Sequence, residues 1–367
     1  MRVVITGGGT GGHLFPALAV RAALLQRHPG AAILFVGAAA GVEAGILPRM
    51  GLDFRGLEAP QVKGRGRRGQ LRALLALPGV VAQARRLLRE FAPRVVLGVG
   101  GYASFPSVVA ARLLRIPAVI HEQNAYPGLA NRWLGRGAAA VAVSFEAAAR
   151  FFPRGRTTVT GNPVRPEIRP ADAAAARAGL GLAPEAFTVL AFGGSQGAHR
   201  INLAMAEALP RLAALRGRLQ FLHATGAQDA AQMREAYREG GWRARVEPFF
   251  EDMAAAYAAA DFVVARSGAS TVFELAALGK PALLVPYPFA ANDHQRLNAE
   301  AMVGLGAAWI LLDPYCDGPR LAATVQAAAE KPEALRAMGE KARALARPEA
   351  AERIVELLER AAAPPCG

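Results

Sequence analysis

The chain has 367 residues, 53% hydrophobic and 20% charged, with two cysteines and a formal net charge of +14. That length can bury a large core and divides by ordinary domain size into two, while Cys316 and Cys366 are too few for a disulfide framework or a cysteine metal cage and fit a reducing cytoplasm. The charge is lopsided: residues 1–160 hold 21 Lys and Arg against 6 Asp and Glu, net +15, whereas 161–367 hold 22 against 23, net −1.

An excess confined to one half points to an anionic partner for that half, nucleic acid or an anionic membrane surface; an arginine-rich composition can inflate the excess but does not explain its one-sidedness. Met1-Arg2 leads straight into a short strand and glycines, so no secretory leader is expected. The longest uncharged run, Val95 to Ala111, carries glycines, serines and a proline and is short of the roughly 18 to 20 apolar residues of a span.

Arg2-Val3-Val4-Ile5-Thr6 predicts a strand, Gly7 to His13 a glycine loop, and Leu14 to Leu25 a helix. Gly7, Gly9 and Gly12 satisfy G-x-G-x-x-G, the dinucleotide fingerprint. The match is weak, because after the next strand, Ile33 to Gly37, Ala38-Ala39-Ala40 stands where the ribose-binding acid belongs. The glycines still let a phosphate or sugar approach the backbone closely. Pro60 to Arg72 reads as a flexible basic loop, and Leu74, Leu75, Leu77, Val80 and Val81 follow at once. A membrane-surface contact uses that pairing, and so does an ordinary solvated loop leading into a core helix.

Arg94 to Ser104 is a second strand entering a glycine turn, and Ile116 to Ile120 a third strand, ending in His121-Glu122-Gln123-Asn124. Four polar side chains at a strand's carboxyl end look like a site. Arg, Pro and Gly cluster from Pro153 to Pro170, the expected hinge. The second half repeats the plan: Thr188 to Phe192 enters Gly193-Gly194-Ser195-Gln196-Gly197-Ala198-His199. Two similar α/β domains with doubly wound parallel sheets follow, their shared ligand expected in the cleft at the strands' carboxyl ends.

Phe262-Val263-Val264-Ala265 then runs into Arg266-Ser267-Gly268-Ala269-Ser270-Thr271, with Glu274 one helical turn further on and Asp293 to Asn298 beyond Pro281. A strand ending in a small, hydroxyl-rich turn before a helix is a ready anion site, and a carboxylate one turn on can read a diol such as ribose. A Ser/Thr N-cap with Glu274 as its capping-box partner fits the same letters. Leu335 to Ala363 is helical by composition, interrupted by Pro348.

Together these motifs resemble the MurG family of bacterial glycosyltransferases, over nearly the whole length. The likeness rests on Thr6 to His13 (with Gly9 a third glycine before Thr10), Gly100-Gly101-Tyr102, His121 to Asn124, Gly161-Asn162-Pro163-Val164-Arg165, Gly193 to Ala198, Arg266 to Ala269 with Thr271 and Glu274, and Asp293, Gln295 and Asn298. It implies two Rossmann-like domains facing across a cleft, the GT-B fold. The N-terminal acceptor and membrane domain would cover 1–161, with the closing helix in 344–367 able to pack back on it, and the UDP-sugar domain 162–343. It implies transfer of N-acetylglucosamine from UDP-N-acetylglucosamine, with inversion, to the 4-hydroxyl of undecaprenyl-pyrophosphoryl-N-acetylmuramyl-pentapeptide in peptidoglycan synthesis, on the cytoplasmic face of the cell membrane.

The resemblance assigns the donor's phosphates to Ser195, Gln196 and Arg165, its ribose to Glu274, and its uracil to the Phe250 segment. Gln295, Ala269, Ser270, Thr271 and Asn124 complete the donor pocket, and Thr10, Gly11 and Gly12 approach the sugar. His13 is the candidate base, since a neutral imidazole can take a proton near neutral pH; a helix-start histidine that only hydrogen-bonds a phosphate or hydroxyl is the alternative, and Glu122 is the second candidate base. His28, His199, His223 and His294 read as surface or structural. No Asp-x-Asp pair occurs, so no metal and no cofactor are expected. Arg65, Arg67, Arg68, Leu74 and Leu75 are the expected membrane contacts, here with arginines and small aliphatics and Pro78 where relatives mix in lysines and bulkier aromatics. Two other classes compete: a UDP-sugar 2-epimerase of the same fold, which has no use for a one-sided basic patch, and a basic nucleic-acid binder, which has no use for Ser195, Arg165 and Glu274 together.

Overall fold

The computed structural model describes residues 1–58, 67–101, 103–194 and 197–363, with the backbone alone for 67–74. Lys63, Arg65, Tyr102, Ser195, Gln196 and Cys366, and the side chains of Arg67, Arg68, Arg72 and Leu74, lie outside the described residues. The chain forms two compact units, Met1–Arg165 with Arg347–Gly367, and Pro166–Ala346.

The first unit holds β1 (Arg2–Thr6), β2 (Ala32–Ala38), β3 (Phe54–Leu57), β4 (Val95–Gly98), β5 (Ala118–Glu122), β6 (Ala140–Val143) and β7 (Thr157–Val159). They lie in the order β3-β2-β1-β4-β5-β6-β7, every pair parallel. Strands covered on both faces must be apolar throughout, and Val3, Val4, Val95, Val96, Leu97, Val119 and Ile120 are wholly buried. One face is covered in part by the helix Ala350–Ala362, whose Ala351, Ile354, Val355 and Leu358 recur at helical spacing and pack with Leu14, Val20, Leu24, Leu97 and Val119. Each buried Leu, Ile or Val side chain here contributes about 1.5 to 3 kcal/mol by leaving water. The chain returns to this unit across a break between helices Pro332–Arg343 and Ala350–Ala362, where Pro348 stands.

The second unit holds β8 (Phe187–Phe192), β9 (Leu219–Ala224), β10 (Ala244–Glu247), β11 (Phe262–Ala265), β12 (Ala282–Leu284) and β13 (Trp309–Ile310), in the parallel order β10-β9-β8-β11-β12-β13. Both sheets are doubly wound, and both reverse direction beside their first strand. In the first unit Thr6 is level with Val36 on one side and Gly98 on the other, and in the second Phe192 is level with Ala224 and Ala265. Such switch points are where α/β sheets place ligands.

The basic stretch expected to be loop as far as Arg72 is helical from Arg67, within the 25-residue helix Arg67–Phe91. Arginine and leucine are good helix formers, and Val80, Ala84 and Leu88 supply a buried stripe at four-residue spacing. That stripe begins only at Val80; Leu75, five residues earlier, is 73% exposed.

Candidate functional site

The loop after β1 and the loop after β4 interlock backbone to backbone. Gly8 N–H donates to Gly100 O at 3.2 Å, and a Cβ on Gly101, whose φ is +87°, would stand 2.2 Å from Gly8 O. Only glycine tolerates both that conformation and that approach. The Glu43 carboxylate ties the β1 loop to β2, accepting from Gly9 N–H at 2.7 Å and Ala38 N–H at 2.9 Å while 1% exposed. The acid missing from the fingerprint position after β2 thus has a counterpart five residues on, in the first turn of helix Val42–Arg49, and it holds the loop's own backbone.

Helix Gly11–Arg27 starts at this loop. Its N-cap Thr10 is extended and makes no side-chain cap bond, so the first turn directs its N–H groups and positive dipole end beyond Thr10, Gly11 and Gly12. His13 lies in that turn, its ring about 3 Å from where a Cβ on Gly100 would be, and its Nδ1 is 3.2 Å from Gln123 Oε1. Arg165 stacks its guanidinium over Phe15, 4.2 Å from the ring centroid, on the same helix.

Glu122 ends β5 and is 2% exposed. Its oxygens accept from Asn124 N–H at 3.0 Å, Asn124 Nδ2 at 3.3 Å, Gly128 N–H at 3.3 Å and Asn131 Nδ2 at 2.8 Å. Burial holds its carboxyl above the usual carboxylate range, and these donors offset only part of that rise. Four bonds to its own loop make Glu122 the organiser of residues 124–131 and leave it poorly placed to serve as a base.

In the second unit, after β8, Gly197 has φ +76°, and a Cβ on it would meet Thr225 O at 2.0 Å. Helix His199–Ala208 follows, and His199 Nδ1 is 2.9 Å from Asp229 Oδ2. Helix Ala269–Leu278 starts after β11. Its cap is Gly268, extended and without a side-chain bond, which overturns the Ser/Thr capping box: Ser270 and Thr271 sit inside the first turn, and Glu274 a turn deeper. Ser270 Oγ is buried without a hydrogen-bond partner among the described residues. Glu274 is 6% exposed and its Oε2 accepts from Tyr257 OH at 3.0 Å. A buried hydroxyl and a buried, oriented carboxylate share one glycine-capped helix, a set suited to an anion and a diol.

The rest of the motif also braces the fold. Ser267 Oγ donates to Gln295 O at 2.8 Å, Asn298 Nδ2 to Ser267 O at 3.2 Å, and Tyr287 N–H to Gln295 Oε1 at 2.9 Å, which ties helix His294–Val303 to the β11 loop. Arg266 donates to Val285 O and Pro286 O, each at 3.1 Å, and pairs with Asp313. Phe250 is buried and its neighbour Phe249 is 45% exposed, so Phe250 has main chain rather than its ring to offer a base. The histidines read as surface or structural have protein partners: His28 meets Glu359 at 2.6 Å, His294 meets Ala291 O at 2.8 Å, and His223, buried and with its pKa lowered to about 3 by desolvation, sits between Asn202 Oδ1 at 2.9 Å and Tyr237 OH at 3.1 Å. Glu43, Tyr257 and the role of Gln123 escaped the sequence; for Glu43 the trace was an acid in the first turn after β2.

The glycosyltransferase family 28 N-terminal domain matches residues 3–143, and the family 28 C-terminal domain matches residues 188–354. The UDP-N-acetylglucosamine–N-acetylmuramyl-(pentapeptide) pyrophosphoryl-undecaprenol N-acetylglucosamine transferase of Citrifermentans bemidjiense is 46% identical over 358 residues, covering 98% of this chain and 99% of the relative. The crystal structure of Acinetobacter baumannii MurG is 31% identical, with a TM-score of 0.77 over 98% of this chain and 99% of that one. A putative UDP-N-acetylglucosamine 2-epimerase from Listeria monocytogenes shares the fold, at a TM-score of 0.72 and 15% identity over 98% and 95%.

Proposed function

Because the chain belongs to glycosyltransferase family 28, among its MurG transferases, it transfers N-acetylglucosamine from UDP-N-acetylglucosamine to lipid-linked N-acetylmuramyl-pentapeptide, and we propose how its residues divide that reaction. The observation that carries the division is the helix Ala269–Leu278, where Ser270 Oγ is buried without a partner among the described residues and Glu274 is oriented by Tyr257. Glu274 reads the ribose hydroxyls. Ala269, Ser270, Thr271 and the first turn, together with Ser195, Gln196 and Arg165, receive the diphosphate, whose charge grows as the sugar departs. Phe250 offers main chain to the uracil, Gln295 holds the segment around Tyr287, and Asn124 completes the donor contacts.

The first unit supplies the chemistry. Thr10, Gly11 and Gly12 face the sugar, and His13 Nε2 takes the proton of the muramyl 4-hydroxyl. That oxygen then forms its bond to the anomeric carbon as the bond to the UDP oxygen breaks, UDP leaving with the electron pair. Glu122 keeps the 124–131 loop in place.

The same unit docks on an anionic membrane surface. Support comes from its +15 charge and from the apolar side chains it exposes, Leu75 at 73%, Leu113 at 61% and Trp133 at 47%. No helix among the described residues is long and apolar enough to cross a membrane, which leaves surface contact as the proposed mode. Arg65, Arg67, Arg68, Leu74 and Leu75 are the proposed contacts. Nucleic acid is not assigned as a partner.

Product analysis with labelled UDP-N-acetylglucosamine, with and without the lipid-linked acceptor, tests the reading. Label should pass to the acceptor and only in its presence; an epimerised sugar formed without acceptor would overturn it in favour of the 2-epimerase chemistry.

A further inference from the structure

Behind His13 a line of buried polar side chains crosses the carboxyl ends of β4 to β7 of the first unit, and its hydrogen bonds from His13 to His121 each have one allowed direction. Gln123, 1% exposed, places its Nε2 at 2.8 Å from Val99 O, which can only accept, so the amide nitrogen must lie on that side and Oε1 on the side of His13. The second proton of that amide points at His121 Nδ1, 3.1 Å away. His121 is therefore protonated on Nε2, which is 3.2 Å from Ser144 Oγ, and Ser144 Oγ–H donates to Asn162 Oδ1 at 3.4 Å. Gln123, His121, Ser144 and Asn162 are all buried, and burial lowers the His121 pKa to about 3, so the ring stays neutral and keeps this polarity at any working pH.

We propose that Gln123 is a positioning residue that fixes the tautomer of His13: its Oε1 can only accept, so it holds the proton on His13 Nδ1 and makes Nε2 the nitrogen that carries the lone pair. His121 serves one step back, holding the Gln123 amide in one flip. The inference rests on His13 being the base, and it explains how a half-buried imidazole presents the correct nitrogen in every resting enzyme molecule. A wrong-tautomer base is a defect of chemistry and not of binding; in the serine-protease triad the comparable change costs about 10⁴ in kcat. Gln123 is a neutral partner and stabilises an imidazolium less than a carboxylate would, so a smaller loss is expected here, about 10- to 100-fold.

The wild-type enzyme, labelled with ¹⁵N-histidine, tests the first part by NMR above the His13 pKa, with the His13 signals assigned by their loss in His13→Gln. A protonated Nδ1 and a bare Nε2 are expected, and a protonated Nε2 overturns the proposal. In Gln123→Met, which keeps the volume and removes the amide, His13 should become a mixture of tautomers, with kcat down about 10- to 100-fold and the donor KM within twofold. An unchanged tautomer in that variant overturns the positioning role whatever the rate. A lost tautomer with unchanged kcat upholds the positioning role and overturns His13 as the base, so the two readings fail separately.

Discussion

Both units end their central strands in glycine loops that open onto helices, yet one loop leads to an imidazole and the other to a carboxylate and a hydroxyl. After β1, His13 is backed by neutral, fully buried side chains, hydrogen-bonded in sequence from Gln123 through His121 and Ser144 to Asn162. After β11, Glu274 and Ser270 sit one turn apart on a helix capped by glycine. A base must be neutral at rest with its lone pair in a known place, whereas a binder of ribose and phosphate must present charge and hydroxyls with their directions set. The same strand order serves both, and the proposed division of labour lies in the few residues after each strand.

The largest effect separates the two directly. His13→Ala should lower kcat by roughly 10² to 10⁴ with UDP affinity nearly kept, the range for loss of a positioned base. Steady-state kinetics beside calorimetry of UDP binding check it. A variant that turns over normally and binds UDP poorly would erase the proposed distinction between the units.

The charge contrast, +15 against −1, is sharpened on vesicles. Arg65, Arg67 and Arg68 each contribute about 1 kcal/mol near an anionic surface, so reversing all three to Glu should weaken binding to anionic liposomes by at least about 3 kcal/mol, more than 100-fold. UDP affinity should not change. Co-sedimentation against salt checks it, and equal binding of wild type to neutral and anionic vesicles would assign the basic half to another partner.

On the binding side, Glu274→Ala should weaken UDP by about 1.5 to 3 kcal/mol, the worth of hydrogen bonds to a charged group, with kcat at saturating donor little changed. Calorimetry reads it, and a loss confined to kcat would move Glu274 from binding to chemistry.

Acid treats the units alike. Each contains a wholly buried histidine, His121 in the first and His223 in the second, with the pKa lowered to about 3 from 6.5. The unfolded chain takes up protons below pH 6.5 that the folded chain refuses, so stability falls as pH drops below 6.5, by about 1.4 kcal/mol per pH unit per histidine. At pH 5 that is about 2 kcal/mol for each. Urea unfolding at pH 7 and 5 checks the sum, and His223→Gln should abolish the second unit's share alone.

Much of this was legible in the sequence, for reasons that also explain what was not. Strands buried on both faces leave continuous apolar runs, and Phe262–Ala265 is one of them; glycine loops at strand ends are equally local. The capping box failed because Gly268, and not Thr271, occupies the cap, a matter of backbone angle that letters do not carry. Glu43 and Gln123 act across the sheet, on Gly9 and on His13, and such pairings depend on strand order. The helical start at Arg67 was hidden by glycines and arginines that suit a loop as well.

The smallest expected effect tests whether Glu274 is merely present or held. Tyr257 lies on helix Met253–Ala259, is wholly buried, and donates its hydroxyl to Glu274 Oε2 at 3.0 Å. Tyr257→Phe removes one neutral-to-charged hydrogen bond without changing the ring, which is packed edge-on against Phe192. The carboxylate keeps its charge and its place on the helix but loses part of its orientation, so UDP should weaken by about 0.5 to 1.5 kcal/mol, less than for Glu274→Ala. Combined with Glu274→Ala, the change should add nothing to the loss of UDP affinity, since the tyrosine acts on the nucleotide only through the carboxylate. A double-mutant cycle by calorimetry decides between orientation and independent packing: additive losses would show that Tyr257 shapes the pocket by its ring, and that Glu274 needs no holding to read a ribose.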